Sequence, residues 1–215
     1  MKNQNQTIAS RQKEESRTDL AAYQIERLQS FKKANIKTKK AGIVFAGDSI
    51  TEFFPLKKYL GHDLPLFNRG IAGTDSIWLQ KHLQEQALTL EPAKIFLMIG
   101  INDLGKGYAV SDIVARIVDM IAQIRVYSIG TEIYLLSLLP VNENPQYAAK
   151  VKIRKNKNIQ LLNQRIQALP GAEYIDLYPS LLDKKGNLAE ENTTDGLHLT
   201  QEGYRKVSLI LKRYL

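Results

Sequence analysis

Five short apolar runs that do not alternate with polar residues set the tightest limit on what this chain can become. They are Ile43-Val44-Phe45-Ala46, Leu64-Pro65-Leu66-Phe67, Ile95-Phe96-Leu97-Met98-Ile99, Ile133-Tyr134-Leu135-Leu136 and Tyr174-Ile175-Asp176-Leu177. A strand with one wet face alternates; a strand covered on both faces does not, and that is its situation in a parallel sheet between helices. Helical stretches separate the runs. Residues 111–128 set Ile113, Val114, Ile117, Ile121 and Ile124 on one face, with Ser111 as the expected N-cap and Gly130 beyond the end. Residues 148–169 carry Ile159, Leu162, Ile166 and Leu169 at helical spacing and stop at Pro170-Gly171. One more helix is expected over residues 19–35, with Ala21, Ile25 and Leu28 on a stripe, and a last one after Thr200. Strands alternating with helices in this way predict a doubly wound, three-layer α/β/α sandwich around a five-stranded parallel sheet. The 215 residues suit one such domain, residues 19–215, behind a polar, frayed tail over residues 1–18.

Composition narrows the chemistry. The chain has no cysteine, so thiolate catalysis, disulfides and Cys-ligated metals are excluded. The net charge of +8 invites anionic partners. Its densest clusters, residues 37–40 and a helical run over residues 150–157, contain no interleaved aromatic, and both are expected to be solvated faces rather than nucleic-acid platforms. No apolar run reaches the length of a membrane span, and the first residues lack the apolar stretch of a secretory leader, so the expected setting is cytoplasmic.

In open parallel sheets ligands bind at the carboxyl ends of the strands, where the connecting loops converge. The first run is followed by Gly47-Asp48-Ser49-Ile50-Thr51, the second by Asn68-Arg69-Gly70-Ile71-Ala72-Gly73-Thr74-Asp75, and the third by Gly100-Ile101-Asn102-Asp103. Asp195-Gly196-Leu197-His198 stands between the fifth run and the last helix. A serine hydroxyl becomes a nucleophile when a base takes its proton, and an imidazole oriented by a carboxylate is such a base. Asp195 and His198 are three apart, which one helical turn would bring to the same face. The oxyanion formed on attack needs donors aimed at it in advance, each worth about 3–4 kcal/mol. The N–H groups of Ser49 and Gly73 and the Asn102 amide are the candidates.

Taken in order, Gly47-Asp48-Ser49, Gly73, Gly100-x-Asn102-Asp103 and Asp195-x-x-His198 resemble the four blocks of the SGNH, or GDSL-type, hydrolases, and the platelet-activating-factor acetylhydrolase-like branch in particular. The resemblance spans roughly residues 43–205. It implies a flavodoxin-like fold, ester hydrolysis without cofactor, Ser49, Asp195 and His198 as catalytic residues, and Ser49, Gly73 and Asn102 as the oxyanion hole. The second block reads Gly73-Thr74-Asp75 where the family order is Gly-Asp-Thr or Gly-Asp-Ser, so Gly70 stands as an alternative to Gly73.

Each motif alone is also a good turn; the ordered conjunction carries the reading. Gly47-Asp48-Ser49-Ile50-Thr51 lacks the last glycine of an α/β-hydrolase elbow, and no phosphate-binding or dinucleotide loop follows a strand. His82 is expected on a helix surface and His62 in a loop, with no metal site at either. Asp48, Ile50 and Tyr147 are candidate substrate contacts; Trp78, Phe53 and Phe54 could line an acyl or leaving-group pocket, but core packing is the commoner fate of such aromatics and the favoured assignment. The expected partner is a small ester. Nucleic-acid binding or a non-catalytic interaction role on the same fold is the rival reading, and a homodimer is the default assembly.

Overall fold

The computed structural model describes the backbone of residues 2–215 and the side chains of residues 18–215. The apolar runs form β1 (Ile43–Gly47), β2 (Leu66–Gly70), β3 (Lys94–Met98), β4 (Glu132–Leu136) and β5 (Glu173–Ile175). All pairings are parallel, in the order β2-β1-β3-β4-β5. The chain therefore reverses its direction of winding between β1 and β3, and their carboxyl ends open a crevice there.

The helices are α1 (Lys2–Lys37), α2 (Ser49–Glu52), α3 (Leu56–Leu60), α4 (Ser76–Gln86), α5 (Ile101–Lys106), α6 (Val110–Tyr127), α7 (Ala148–Val151), α8 (Asn156–Gln167) and α9 (Gln201–Leu211). The polar tail expected over residues 1–18 falls, but for Thr18, outside the residues whose side chains are described. Among the described residues no helix is long and apolar enough to cross a membrane.

Successive strand residues point to opposite faces, which sorts the sheet into two cores. Val44, Ala46, Ile95, Leu97, Ile133 and Leu135 pack with Leu79 and Leu83 of α4, the isoleucines of α6, and Ile159, Leu162 and Ile166 of α8. On the other face, the paired residues Phe45, Phe96 and Tyr134 stack at centroid distances of 4.6 Å and pack near α3 and α9. This two-sided cover is why the runs do not alternate.

Three sequence expectations need correction. The second strand starts at Leu66, beyond Pro65, and takes in the polar pair Asn68-Arg69. The Asn68 amide makes that possible by donating to the carbonyls of Thr51, Glu52 and Phe54 while its Oδ1 accepts from Gly70 N–H. The helix expected over residues 148–169 is two, α7 and α8, broken where Lys152 takes φ +55°. Ser111 does not cap α6; Ala109 occupies the N-cap position and makes no side-chain cap bond.

Two asparagines of α8 act as a substitute strand edge for the segment leaving β4. Asn163 accepts from Leu138 N–H at 2.8 Å and donates to Leu138 C=O at 2.9 Å. Asn156 does the same for Val141, at 2.9 and 2.8 Å. Asn163→Ala would leave two buried backbone groups unpaired, so the unfolding free energy from urea titration should fall by roughly 2–4 kcal/mol. A fall of less than about 1 kcal/mol would show that the pairing contributes little.

Candidate active site

Ser49 is the first residue of α2, directly after β1, and Asp48 caps that helix by accepting from Ile50 N–H at 2.9 Å. The serine is thereby held at the carboxyl end of the strand that sits at the winding reversal. It is only 7% exposed, and its Oγ lies 2.9 Å from His198 Nε2. The His198 ring carries the chain on, with Nδ1 2.8 Å from Asp195 Oδ2. Asp195 accepts at Nδ1, so the ring proton belongs there and Nε2 is left as the acceptor that faces the serine hydroxyl.

The Asp195-to-His198 segment is not a helical turn, as its spacing suggested. Thr193 and Leu199 form an antiparallel bridge that closes the loop, and Gly196 reverses the chain at φ +80°. Asp195 Oδ1 accepts from Leu197 and His198 backbone N–H at 3.1 and 2.8 Å, and Thr193 Oγ1 donates to His198 C=O. Burial works against the Asp195 carboxylate. The bonds it accepts from the His198 backbone and ring outweigh that and hold its pKa below the usual range. Lys150 of α7 adds a cation 3.6 Å from Oδ2.

Gly73 takes φ +76°, which a side chain rarely tolerates, and a Cβ there would strike Leu20 and Gln24 of α1. The N–H of Gly70, the alternative, is already bonded to Asn68 Oδ1. Asn102 of α5 donates from Nδ2 to Thr74 C=O at 2.9 Å, which ties the third block to the second. The altered order of the second block has a local reason: Thr74 bonds back to Ile71 C=O, while Asp75 caps α4 through Trp78 N–H and pairs with Lys106.

The sequence model of the GDSL-like Lipase/Acylhydrolase family matches residues 45–206. The chain belongs to that family. GDSL-type members are carboxylic ester hydrolases, and that is its enzyme class. A solved structure from Streptococcus pneumonia, provisionally named a platelet activating factor, is 36% identical, with a TM-score of 0.90 over 97% of this chain and 98% of the other. The human platelet-activating factor acetylhydrolase IB subunit alpha1 is 23% identical over 187 residues, covering 85% of this chain and 78% of its own. N-acylneuraminate cytidylyltransferase of Escherichia coli O18:K1:H7 is 27% identical over 196 residues; the match takes in 90% of this chain but only 45% of that enzyme.

In this GDSL-type fold the other expected contacts divide. Asp48 and Ile50 are buried, at 1% and 5% exposed. Tyr147 packs against Gly196, beside the Asp195 loop. Of the aromatics assigned to the core, Phe54 is there, stacked on Tyr204, and Trp78 packs with Leu28, Phe31 and Ile71. Phe53 is not: it is 51% exposed, its ring centroid 5.5 Å from that of His198. His62 lies exposed in a loop, and His82 stands beside Glu85 and Trp78. Among the described residues no three metal-ligating side chains cluster.

Sequence reasoning missed two residues outright. Glu52, three after the serine, accepts from Ala72 N–H at 2.6 Å and from the Tyr23 hydroxyl, and lies 3.4 Å from Arg27. It fastens α1 to the Gly73 loop, and nothing local in the sequence announces that reach. Tyr204 of α9 donates to Ile50 C=O at 2.8 Å, which couples the helix after His198 to the helix of Ser49.

Burial pushes the Asp48 carboxyl up to about 7, with Asp103 adding to the rise and the Ile50 N–H and Arg154 opposing it; its Oδ2 is buried without a hydrogen-bond partner. The native state thus keeps this proton far above the ~3.9 of an unfolded aspartate. The resulting stability is fully present below about pH 4 and is lost as pH rises through about 7. Asp48→Asn keeps the helix cap and removes the titration. Its stability relative to the native protein should therefore grow between pH 4 and 8 in urea melts. Parallel profiles for the two proteins would contradict the assignment.

Proposed function

We propose that this GDSL-type hydrolase is a serine esterase that removes a short acyl group, acetyl above all, through an acyl-enzyme. The observation that carries the reading is the unbroken line from Ser49 Oγ through His198 to Asp195, with both contacts at hydrogen-bond distance. In this reading Ser49 Oγ attacks the ester carbonyl carbon while His198 Nε2 takes its proton. The oxyanion that forms is met by the N–H groups of Ser49 and Gly73 and by the Asn102 amide. Ser49 supplies its N–H because the first residues of a helix have no intrahelical acceptor. Gly73 is preferred to Gly70 because the Gly70 N–H is already occupied. The tetrahedral adduct collapses as His198 gives its proton to the leaving alkoxide, and water then repeats the sequence to release the acid and free Ser49.

One comparison supports a short acyl group. The human relative is by name an acetylhydrolase. Phe53, exposed beside His198, offers an apolar surface to the leaving group.

Hydrolysis of p-nitrophenyl esters of rising acyl length tests the proposal. Acetate should outrun octanoate, and Ser49→Ala should lower kcat by roughly 10⁴- to 10⁶-fold. Equal rates in the native and Ser49→Ala proteins would remove Ser49 from the mechanism. Asn102→Ala should lower kcat by about 10²- to 10³-fold at nearly constant KM; a change confined to KM would make Asn102 a binding residue instead.

A further inference from the structure

Arg154 lies in the basic run over residues 150–157 expected to be solvated, yet it is only 7% exposed. Its guanidinium is surrounded by oxygen atoms of neutral groups. Nε donates to Ile101 C=O at 2.8 Å, Nη1 to the carbonyls of Val151 and Lys150 at 3.3 and 3.4 Å, and Nη2 to Asn102 Oδ1 at 3.1 Å. Among the described residues no carboxylate comes within ion-pair distance of it. Burying a cation that feels only the buried Asp48 carboxyl, beyond ion-pair distance, is costly, so a stable fold does not need one here. A second observation points the same way. Gly105 lies within helix α5, where glycine is unfavourable by about 0.5–1 kcal/mol relative to alanine. A Cβ at that position would sit 2.2 Å from Arg154 Nη2 and 2.3 Å from Cζ. The glycine makes the room that the guanidinium occupies.

We infer that Arg154 is a positioning residue for the oxyanion site, acting through the Asn102 carboxamide. The inference rests on Asn102 serving as an oxyanion donor, as proposed above. An arginine has only donors to offer, so Asn102 must turn its Oδ1 toward Arg154 and its Nδ2 away. One Nδ2 proton is taken by Thr74 C=O. The other is left for the reacting oxygen, in an orientation fixed from both ends. The cation against Oδ1 also draws electron density toward the carbonyl, which makes the N–H protons more positive, an effect strengthened where water is excluded. Arg154 thus delivers part of a positive charge to the oxyanion without touching the substrate.

A double-mutant cycle separates this role from a merely structural one. On p-nitrophenyl acetate, Arg154→Met should lower kcat about 10- to 50-fold, less than loss of the donor itself, with KM within about threefold. In an Asn102→Ala background the same substitution should cost less than about twofold, because its route to the substrate is gone. An equal loss in both backgrounds would overturn the inference. Gly105→Ala displaces the guanidinium without removing it; it should reproduce the kcat loss and its dependence on Asn102, and it carries the test if Arg154→Met fails to fold. The side-chain amide resonances of Asn102 in a ¹⁵N–¹H spectrum give a readout independent of hydrolysis. They should move to a less polarised position in Gly105→Ala. Unmoved resonances would contradict Arg154's hold on Asn102 even in an active esterase, whereas moved resonances in a protein that cleaves no ester would sink the esterase reading and leave the contact standing.

Discussion

A single hydrogen bond of 2.9 Å joins Ser49 to His198 across 149 residues of sequence, and most of the architecture can be traced to the need to hold it. Ser49 is fixed because β1 lies inside the sheet, between β2 and β3, and α2 starts two residues beyond its end, after the Asp48 cap. His198 has no strand beneath it. It is placed by a bridge-closed loop, by Asp195 gathering three N–H groups on its carboxylate, and by α9, whose Thr200 cap and Tyr204 hydroxyl register the segment against α2. The stacking of Phe54 on Tyr204, and of Phe45 and Phe96 beneath, supplies the packed floor on which that register depends. A shift of about 1 Å in any of these parts would open the contact that the chemistry needs.

Around that bond lies a set of buried polar groups that a fold alone would not call for. Asp48, Asp103 and Arg154 are all nearly inaccessible, and each bears on one of the loops at the carboxyl edge of the sheet. Asp103 accepts from Ser76 N–H at 2.9 Å and also from the Ser76 hydroxyl, binding α5 to the start of α4. Its pKa is raised by burial, and the Ser76 bonds oppose that rise. Such groups destabilise a protein unless their partners are complete. Here Asp103 ties α5, which carries Asn102, to the start of α4, and Arg154 bonds Asn102 itself.

The sheet was legible in the sequence because its strands bury both faces, and a continuous apolar run records that directly. Legibility failed where a long-range partner compensates a locally odd residue. Asn68 and Arg69 look like loop, yet they are strand, since Asn68 satisfies the open carbonyls after α2 and Arg69 is covered by the rings of Phe31 and Phe67 and donates to Asn35. The Asp195–His198 pair was found by residue type, but its local geometry was misjudged because a spacing of three is shared by a helical turn and by a turn built on a capping carboxylate. Arg154 was lost among its basic neighbours: a charge run averages to a solvated face, and one inward member leaves no periodic trace. The four blocks at the sheet edge were readable as residue types in a set order, and of these the structure brings Ser49, His198 and Asp195 within hydrogen-bond reach of one another.

The central claim is that Ser49 is a nucleophile made reactive by His198. Reaction with a fluorophosphonate followed by intact and peptide mass measurement tests it most directly, since that reagent traps a serine only where a base and an oxyanion site act on it together. One phosphonyl group per chain should appear on Ser49, be absent from Ser49→Ala, and form far more slowly in His198→Ala. Labelling at another residue, or labelling of Ser49 that proceeds equally well without His198, would contradict the account.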